Sequence, residues 1–284
     1  MDRPAESDTT LRMVSDLYGR HQGEDIFVVG TGPSLRVFPP EVFTGKTVIG
    51  CNMAWKVVPT QYGVTIHPDL NMPECMDGEQ PHPEITWITK HRKTRRLLSP
   101  EQFERVQSQF YYFESEGQPN SQPPDEPNDA GRIVDWVRRP TGDCLYQWSS
   151  ISQTACNLAA NLGAKTVILV GCDNTALFDS HHAHQQHTRW KGVDPNHRYR
   201  QYYEGLAEVR AALHERGVAM VSMTPFLSLD SPENDFLRLC QELGKETRVG
   251  GEDLPAGDSA VSPLKRLRRA SKRKLRALTG WNQH

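Results

Sequence analysis

Two short clusters of glycine and hydroxyl residues carry the first chemical signal in the sequence. In the stretch FVVGTGPSL, the residues Gly30, Thr31, Gly32, Pro33 and Ser34 follow a run of apolar, partly β-branched residues. Glycines permit a sharp reversal with unobstructed N–H groups, and a helix beginning at Ser34 adds a partial positive charge at its N-terminus. This combination is typical of a turn that binds phosphate. The alternative is a tight strand-to-helix corner, because the third glycine of GxGxxG and the lysine of a P-loop are missing.

The second cluster opens another predicted helix. In SSISQTA, the hydroxyl residues Ser149, Ser150, Ser152 and Thr154 occupy the helix start. Free amides and hydroxyls at that position suit an anionic group or a sugar. Ordinary N-capping explains the same residues, so both interpretations stay open.

Polar residues also end several predicted strands. Asn52 follows KTVIGC, His67 follows YGVTI, and Asp173 follows VILVGC. Asn52 suits hydrogen bonding to a base or a ribose, and His67 suits acid or base chemistry; a purely structural role is the alternative for each. Ligands of wound α/β sheets lie outside the carboxyl ends of the strands, so we expect Gly30 to Ser34, Asn52, His67, Asp173 and Thr224 on one rim.

A histidine-rich loop and the helix after it supply candidate bases. The loop carries His181, His182, His184 and His187 after Asp173 and Asp179. His184 and His197 are the candidates for a general base, since imidazole titrates near neutral pH. A divalent metal site and a solvated surface loop are the alternatives. The spacing matches no zinc signature such as HExxH, so we assign no metal ligand.

The elements that must position these residues alternate between strand and helix. Apolar runs predict strands at 25–30, 46–52, 62–68, 84–89, 110–115, about 165–171 and 218–225, with helices at 99–109, 149–162 and 197–217. This alternation predicts an α/β fold with a Rossmann-like, doubly wound, mainly parallel sheet. The domain is expected over residues 23–230.

Three further segments flank or interrupt this domain. Residues 8–20 have apolar residues three apart, which predicts an amphipathic helix within an N-terminal segment 1–22. Residues 116–131 are rich in Pro, Asn, Asp and Gly, which predicts a loop that acts as a lid when the donor binds. Residues 231–284 are expected to form a C-terminal helical extension.

The overall composition favours a soluble cytoplasmic protein. The chain has 284 residues, 37% hydrophobic and 24% charged, which suffices for one sizeable core. Its start, MDRPAESDTT, contains no apolar signal region, and no run approaches the ~18 apolar residues of a membrane span. The six cysteines are scattered, which is typical of reduced thiols rather than of a disulfide framework.

Charge is distributed unevenly along the chain. Residues 262–284 contain eight Lys or Arg and no Asp or Glu, so this tail carries +8 while the whole chain carries −2 and the remainder −10. Within 262–281, Leu264, Leu267, Leu275 and Leu278 share one face of a predicted helix. A basic amphipathic helix of this kind favours an anionic membrane surface, here the inner face of the membrane. Nucleic acid is the alternative partner, and a solvated tail is the third interpretation.

These motifs resemble one group of proteins over roughly residues 25–225. VVGTGPSL followed by SSISQTACNLAANLGAKTVILVGCD and a histidine loop resembles the 6-hydroxymethylpterin diphosphokinase-like proteins and the motility-associated (Maf) flagellin glycosyltransferases. The scaffold is also similar to that of the bacterial sialyltransferases of glycosyltransferase family 42. Those enzymes carry a GxGPS loop, a Cys-Asn after the second strand and a small-residue helix before a GxD strand end.

The resemblance implies roles for particular residues. By similarity to the sialyltransferases, Gly30, Gly32, Pro33 and Ser34 contact the donor phosphate, Asn52 holds the nucleotide and His197 is the base. The Ser-Gly pair of that family is Ile151-Ser152 here, whereas Ser149, Ser150 and Thr154 match the diphosphokinase-like branch better. The Thr-His-Ala element of that branch corresponds to His182-Ala183 or to His184.

Three functional hypotheses follow. The first is a glycosyltransferase that moves a sugar from a nucleotide-activated donor, CMP-linked in the sialyltransferase branch, to a glycan or other hydroxyl acceptor without a cofactor. The second is a diphosphokinase that transfers pyrophosphate from ATP to a pterin-like alcohol and requires Mg²⁺. The third is a non-catalytic protein that binds a nucleotide or nucleic acid.

Overall fold

Seven parallel strands form a single sheet in the order β5-β4-β3-β2-β1-β6-β7. The computed structural model describes residues 11–72, 74, 82–115, 130–148, 150–173 and 195–223, with backbone alone for 130–133, 195–201 and 203–204. The strands are β1 (Asp25–Val29), β2 (Thr47–Cys51), β3 (Tyr62–Thr65), β4 (Thr86–Lys90), β5 (Phe110–Phe113), β6 (Thr166–Val170) and β7 (Ala219–Ser222). Six of them lie within the segments that the apolar runs predict, and β4 extends one residue beyond its segment, to Lys90. The α/β class with a doubly wound parallel sheet is confirmed.

Three strands are buried along their whole length, because helices cover both faces of the sheet. Every residue of β2, β3 and β5 is buried. Such continuous burial is typical of parallel sheets and explains why these three strands show no period-two alternation. Packing between β3 and β4 is especially close: a Cβ at Gly63 would collide with the indole ring of Trp87, which is 1% exposed.

Six α-helices connect or cover the strands. They are α1 (Pro68–Asn71), α2 (His91–Leu97), α3 (Pro100–Val106), α4 (Ala130–Arg138), α5 (Ile151–Leu162) and α6 (Pro195–Glu215) among the described residues. Ser99 caps α3 as its sequence predicts, with a 3.2 Å hydrogen bond from the Gln102 N–H to Ser99 Oγ. In α5, eleven of the twelve residues are buried, and Ile151 is the partly exposed one.

The strand order contains one reversal of direction. From β1 the chain builds outward through β2, β3, β4 and β5, and it then returns to place β6 on the other side of β1. The reversal therefore lies between β1 and β6. In open α/β sheets the crevice at such a point, outside the carboxyl ends of the strands, is where ligands bind.

The expected N-terminal helix at 8–20 is wrong in its described part. Residues 11–20 contain only a 3-10 helix, Val14–Leu17. The preceding residues extend the sheet instead, because the Tyr112 N–H donates to the Arg12 carbonyl at 2.9 Å and Met13 forms a parallel bridge with Tyr112. Burial of Val14 and Leu17 in the core then stabilises this arrangement.

The helix expected to begin at Ser34 is also different. Residues Pro33–Val37 form a five-residue 3-10 helix, in which the Leu35 N–H donates to the Gly32 carbonyl. Pro39 ends it, because a residue before proline disfavours the helical conformation and Phe38 is extended. So short a segment of 3-10 hydrogen bonds builds up little of the macrodipole that the sequence argument required.

Other expectations fall wholly or partly outside the described residues. Of the lid predicted over 116–131, only Ala130 and Gly131 are described, and they begin α4. The chain divides into two compact units, Met1–Val249 and Gly250–His284, and every described residue belongs to the first. The basic helix expected at 262–281 lies outside the described residues. No helix in the described ranges has the length and apolar character needed to cross a membrane.

Candidate functional site

The carboxyl edge of the sheet carries the predicted polar residues. Because all strands are parallel, Ser34 after β1, Asn52 after β2, His67 after β3 and Asp173 after β6 lie along one edge. The strand order places them in the sequence Asp173, Ser34, Asn52, His67 across neighbouring strands. Thr224, the fifth residue expected there, lies outside the described residues.

The start of α5 lies at the same edge. The carbonyl groups of Leu162 and Gly163 accept hydrogen bonds from the N–H groups of His21 and Gly23, which precede β1. The end of α5 is therefore at the amino edge of the sheet. Twelve helical residues span about 18 Å, close to the length of a five-residue strand at about 17 Å, so Ser150 and Ser152 lie at the carboxyl edge.

The N–H groups of the glycine loop are used inside the protein, contrary to the sequence expectation of unobstructed amides. The Gly30 N–H donates to the Val170 carbonyl at 2.8 Å, and the Gly32 N–H donates to the Gly171 carbonyl at 2.7 Å. The Ser34 N–H donates to Asp173 Oδ2 at 2.7 Å. The loop is thus fastened to the end of β6, and binding of an anion by these three amides would require the bonds to exchange. Phosphate binding by the loop remains a prediction.

Close approach of two chain segments explains the two glycines. A Cβ at Gly30 would collide with the Gly171 carbonyl, and a Cβ at Gly32 would meet Asp173 Oδ2 and the Gly171 oxygen, the latter at 2.7 Å. Gly171 itself has φ +63°, a conformation that glycine adopts without strain. The need for a tight corner is therefore enough to explain Gly30 and Gly32, whether or not the loop also binds phosphate.

Asp173 is a buried carboxyl group with an elevated pKa. Burial raises its pKa from 3.8 to about 6, and the Ser34 backbone and hydroxyl groups oppose this shift. The residue is 9% exposed and Ser34 is 0% exposed. Among the described residues, Asp173 Oδ1 has no hydrogen-bond partner. A buried carboxyl oxygen without a described partner therefore lies at the reversal point between β1 and β6.

The Asn52 side chain is oriented by its neighbours. Asn71 Nδ2 donates to the His67 carbonyl at 3.0 Å, which can only accept, and to Asn52 Oδ1 at 3.2 Å. Thr65 Oγ1 donates to the same Asn52 oxygen at 3.0 Å and accepts from the His67 N–H. These bonds identify the Asn52 oxygen and leave Asn52 Nδ2 without a hydrogen-bond partner among the described residues. Asn52 is half-buried and has φ +52°, which asparagine tolerates better than most residues.

His67 is hydrogen-bonded to a lysine that sequence reasoning missed. Lys93 Nζ lies 3.0 Å from His67 Nε2. An ammonium group can only donate, so Nε2 must carry the lone pair and the ring proton must be on Nδ1, 3.9 Å from Asp69 Oδ1. His67 therefore does not offer Nε2 as a base while this bond persists. The lysine ending a buried strand in ITKHRK was the signal that could have found this cluster.

Ser150 and Ser152 form a helix cap. Ser150 Oγ accepts from the Ser152 N–H at 3.2 Å and lies 2.6 Å from Ser152 Oγ, while Gln153 Oε1 accepts from the Ser150 N–H at 3.3 Å. N-capping thus accounts for both serines. Thr154 is buried, and no described residue is a hydrogen-bond partner of its hydroxyl. Ser149 lies outside the described residues, and a ligand role for the serines remains a prediction.

Of the two candidate bases, the structure describes the backbone of His197 alone. His197 lies in the first turn of α6. The Tyr202 carbonyl accepts from Gln153 Nε2 at 3.5 Å, which sets residue 202 level with the first turn of α5 at the carboxyl edge. The His197 backbone is five residues nearer the helix start, about 7 Å further along the axis. His184 lies outside the described residues, as do the other three loop histidines.

The two remaining residues of the glycine loop are Thr31 and Pro33. Thr31 is partly exposed, and Pro33 is buried.

A metal ion and a reactive thiol are the two other chemistries relevant to this edge. Within the described ranges, no group of three or more His, Cys, Asp or Glu is placed to hold a metal ion. The thiol next to Asp173 is not a nucleophile at neutral pH, because burial raises the pKa of Cys172 to about 12. Burial also raises the pKa of Cys51 and Cys156 well above the usual thiol value.

Comparison with known proteins gives matches among solved structures alone. No family model matches the chain, and no curated protein matches it. The sialyltransferase CstII from Campylobacter jejuni in complex with the substrate analogue CMP-3FNeuAc matches with TM-score 0.42 and 13% identity, over 74% of this chain and 88% of that chain. The same enzyme in complex with cytidine-5'-monophosphate matches with TM-score 0.41 and 13% identity, over 75% of this chain and 87% of that chain. A Maf glycosyltransferase from Magnetospirillum magneticum AMB-1 matches with TM-score 0.41 and 14% identity, over 82% of this chain and 41% of that chain.

Proposed function

We propose that the protein is a glycosyltransferase that transfers a sugar from a nucleotide-activated donor to a hydroxyl acceptor. The observation that carries the proposal is Asn52, whose amide donor is turned away from the Thr65–Asn71 network at the carboxyl edge, one strand from the reversal point. A pre-oriented donor at that edge suits an acceptor atom of a base or ribose. The motif resemblance at Gly30 to Ser34 and Asn52 supports the same assignment.

The chemistry needs a leaving group, a nucleophile and a proton acceptor. The bond between the anomeric carbon and the phosphate oxygen breaks, and the nucleotide leaves with the electron pair. The acceptor hydroxyl oxygen bonds to the anomeric carbon, and its proton passes to a base. We propose His197 or His184 as that base, because neutral imidazole is an efficient proton acceptor near pH 7.

The partners and the setting are proposed on the same basis. The donor is a nucleotide-activated sugar, for which a CMP linkage is the first choice to test, and the acceptor is a glycan or another hydroxyl compound. No cofactor is proposed for this reaction. We also propose that the tail 262–281 attaches the cytoplasmic protein to an anionic membrane surface, because it combines eight basic residues with a leucine face.

A nucleotide-binding screen tests the proposal. The full chain is heated with CMP, UMP, UDP, GDP or ATP, each with Mg²⁺ and with EDTA, and the midpoint of unfolding is measured. A higher unfolding midpoint with one pyrimidine or guanine nucleotide, both with Mg²⁺ and with EDTA, supports a nucleotide-sugar enzyme. The reason is that a bound ligand stabilises the folded state. A rise with ATP that requires Mg²⁺ would favour the diphosphokinase hypothesis instead. No rise with any nucleotide would contradict the proposal.

Hydrolysis of the activated donor provides the second readout. With the nucleotide identified, the matching nucleotide sugar is incubated with the protein, and release of the free nucleotide is followed by chromatography. Slow release in water and faster release with an added hydroxyl acceptor are expected. Binding without release in either case would assign the site to a nucleotide-binding protein rather than to a transferase.

A further inference from the structure

Two half-buried lysines lie where β4 ends at the carboxyl edge. Lys90 is the last residue of β4, and Lys93 is in the first turn of α2. Lys90 Nζ donates to Ser115 Oγ at 2.7 Å, and Ser115 Oγ donates to Gln147 Oε1 at 3.1 Å. Lys93 Nζ donates to His67 Nε2 at 3.0 Å. Among the described residues, each ammonium group therefore has a single acceptor, which is neutral, and each has further N–H donors to offer.

Neither lysine has a carboxylate partner within 4.0 Å in the described part of the chain. The nearby Glu114 lies instead against His91 at 3.7 Å and Arg92 at 3.9 Å. Asp69 is placed against His67. By contrast, Arg138 contacts both Asp135 and Glu215, and Lys165 lies 3.7 Å from Asp25. The two lysines are partly desolvated and form no ion pair with a described carboxylate, although Glu114 acts on Lys90 and Asp69 acts on Lys93 at longer range.

Their surroundings disfavour positive charge in two ways. Burial, the largest cause, lowers the pKa of Lys90 and of Lys93. Neighbouring cations lower both pKa values further, since Arg92 acts on Lys90, and Arg96 and Lys90 act on Lys93. An anion bound between the two ammonium groups would relieve both effects.

We propose that Lys90 and Lys93 form a second subsite, which binds an oxyanion of the acceptor substrate, either a carboxylate or a phosphate group. Their acceptors, Ser115 and His67, follow β5 and β3 on either side of β4, so the two ammonium groups flank the end of this strand and suit a group with two or more charged oxygens. The subsite is two strands from Asn52, about 10 Å at the usual strand spacing, and three strands from the glycine loop. The glycine loop, where the donor phosphate is expected, is thus the more distant of the two positions, which is why we assign the oxyanion to the second substrate. This assignment rests on the proposed function, whereas the subsite itself does not.

The experiment uses inorganic phosphate as the probe. The unfolding midpoint of the full chain is measured against phosphate concentration at constant ionic strength, with chloride as the replaced anion. The variants are Lys90→Gln and Lys93→Gln, which keep a donor for Ser115 and for His67 but remove the charge, and Lys93→Arg, which keeps the charge. Lys165→Gln is the matched control, since Lys165 is an exposed cation that precedes β6, at the amino edge. Glucuronate and glucose then distinguish a carboxylate from the neutral sugar.

The expected result is a phosphate-dependent rise in the wild type, in Lys93→Arg and in Lys165→Gln. In each glutamine variant the affinity for phosphate should fall about tenfold or more, the value of one charged hydrogen bond. Glucuronate should reproduce the rise and glucose should not. With the nucleotide present, the phosphate effect should add to that of the nucleotide.

Three other results are informative. Equal phosphate stabilisation in all variants would overturn the subsite. Mutual exclusion of phosphate and nucleotide, with both lost in Lys93→Gln, would assign the oxyanion to the donor and overturn the acceptor assignment. The expected phosphate pattern without any nucleotide binding would leave the subsite standing while the proposed transferase function fails.

Discussion

The Asp173 carboxylate accepts a 2.7 Å hydrogen bond from the backbone N–H of Ser34, and this bond joins the glycine loop after β1 to the end of β6. The two segments meet at the point where the strand order reverses. Since Asp173 is buried, its ionisation is coupled to the folding of that corner.

Replacement of this carboxyl group should change how stability depends on pH. The pKa of Asp173 is raised from 3.8 to about 6, so its stabilising contribution is present below pH 4 and is lost as the pH rises through about 6. Asp173→Asn keeps an acceptor for the Ser34 N–H and removes the cost of ionisation. We expect it to be more stable than the wild type at pH 8 by up to about 3 kcal/mol, and to lack the decline between pH 4 and 7.

Urea unfolding at several pH values measures this effect. Asp25→Asn, which alters an exposed carboxylate at the start of β1, is the control and should retain the decline. Identical pH profiles for Asp173→Asn and the wild type would show that the buried carboxyl group does not govern the corner.

The orientation of Asn52 predicts a large effect from a small change. Asn52→Asp preserves size and keeps an oxygen for Thr65 and Asn71, but it replaces the outward donor with a charged acceptor. The affinity for the nucleotide identified by the screen should fall at least about tenfold, as expected for loss of one hydrogen bond with added repulsion. Calorimetric titration measures the affinity. Asn161→Asp, at the opposite end of α5, is the control, and equal losses in both variants would contradict a role for the Asn52 amide.

The Lys93–His67 bond fixes a tautomer that NMR can observe. In the wild type the His67 ring should carry its proton on Nδ1, because Lys93 donates to Nε2. Lys93→Met removes that donor and should allow the second tautomer, whereas Lys93→Arg should not. A long-range ¹H–¹⁵N spectrum of the neutral imidazole distinguishes these states. A proton on Nε2 in the wild type would show that the lysine does not make this bond in solution.

Close packing of β3 against β4 should make Gly63 intolerant of substitution. Gly63→Ala places a methyl group against the Trp87 ring and should destabilise the protein by about 1–3 kcal/mol through overpacking. The same substitution in a Trp87→Leu background should cost less, because the ring is no longer there. Equilibrium denaturation of the four proteins in this cycle gives the coupling; equal costs in both backgrounds would refute the contact.

The basic tail predicts binding to anionic vesicles. Full-length protein should sediment with vesicles that contain phosphatidylserine, and a chain lacking residues 262–284 should not, because each basic residue near such a surface contributes about 1 kcal/mol. Neutral phosphatidylcholine vesicles and high salt should reduce binding of the full-length chain. If the shortened chain binds anionic vesicles equally well, another surface of the protein is responsible.

The sheet could be predicted from sequence because its signal is local. Runs such as DIFVV and TVILV are apolar throughout, and a strand buried on both faces requires little more than that. Once the strands are parallel, the residue that ends each one must lie on a common edge. This reasoning placed Asn52, His67 and Asp173 together without any knowledge of side-chain contacts.

The details of the site could not be predicted because they arise from tertiary contacts. The bonds of Gly32 to Gly171 and of Ser34 to Asp173 join positions about 140 residues apart, so sequence offered no sign that the loop amides were used. In the same way, HRKTRR reads as an exposed basic helix face. Only the neighbouring strand end shows that Lys93 turns toward His67.

The pairing of Arg12 and Met13 with Tyr112 has a consequence for solution behaviour. β5 is the outermost strand on its side of the sheet, and a bare outer strand offers unsatisfied backbone groups to other chains. The N-terminal residues occupy part of that row through the Tyr112 N–H bond. Arg12 and Met13, which precede the predicted domain 23–230, thus cover part of the β5 edge and oppose intermolecular β-pairing and aggregation there.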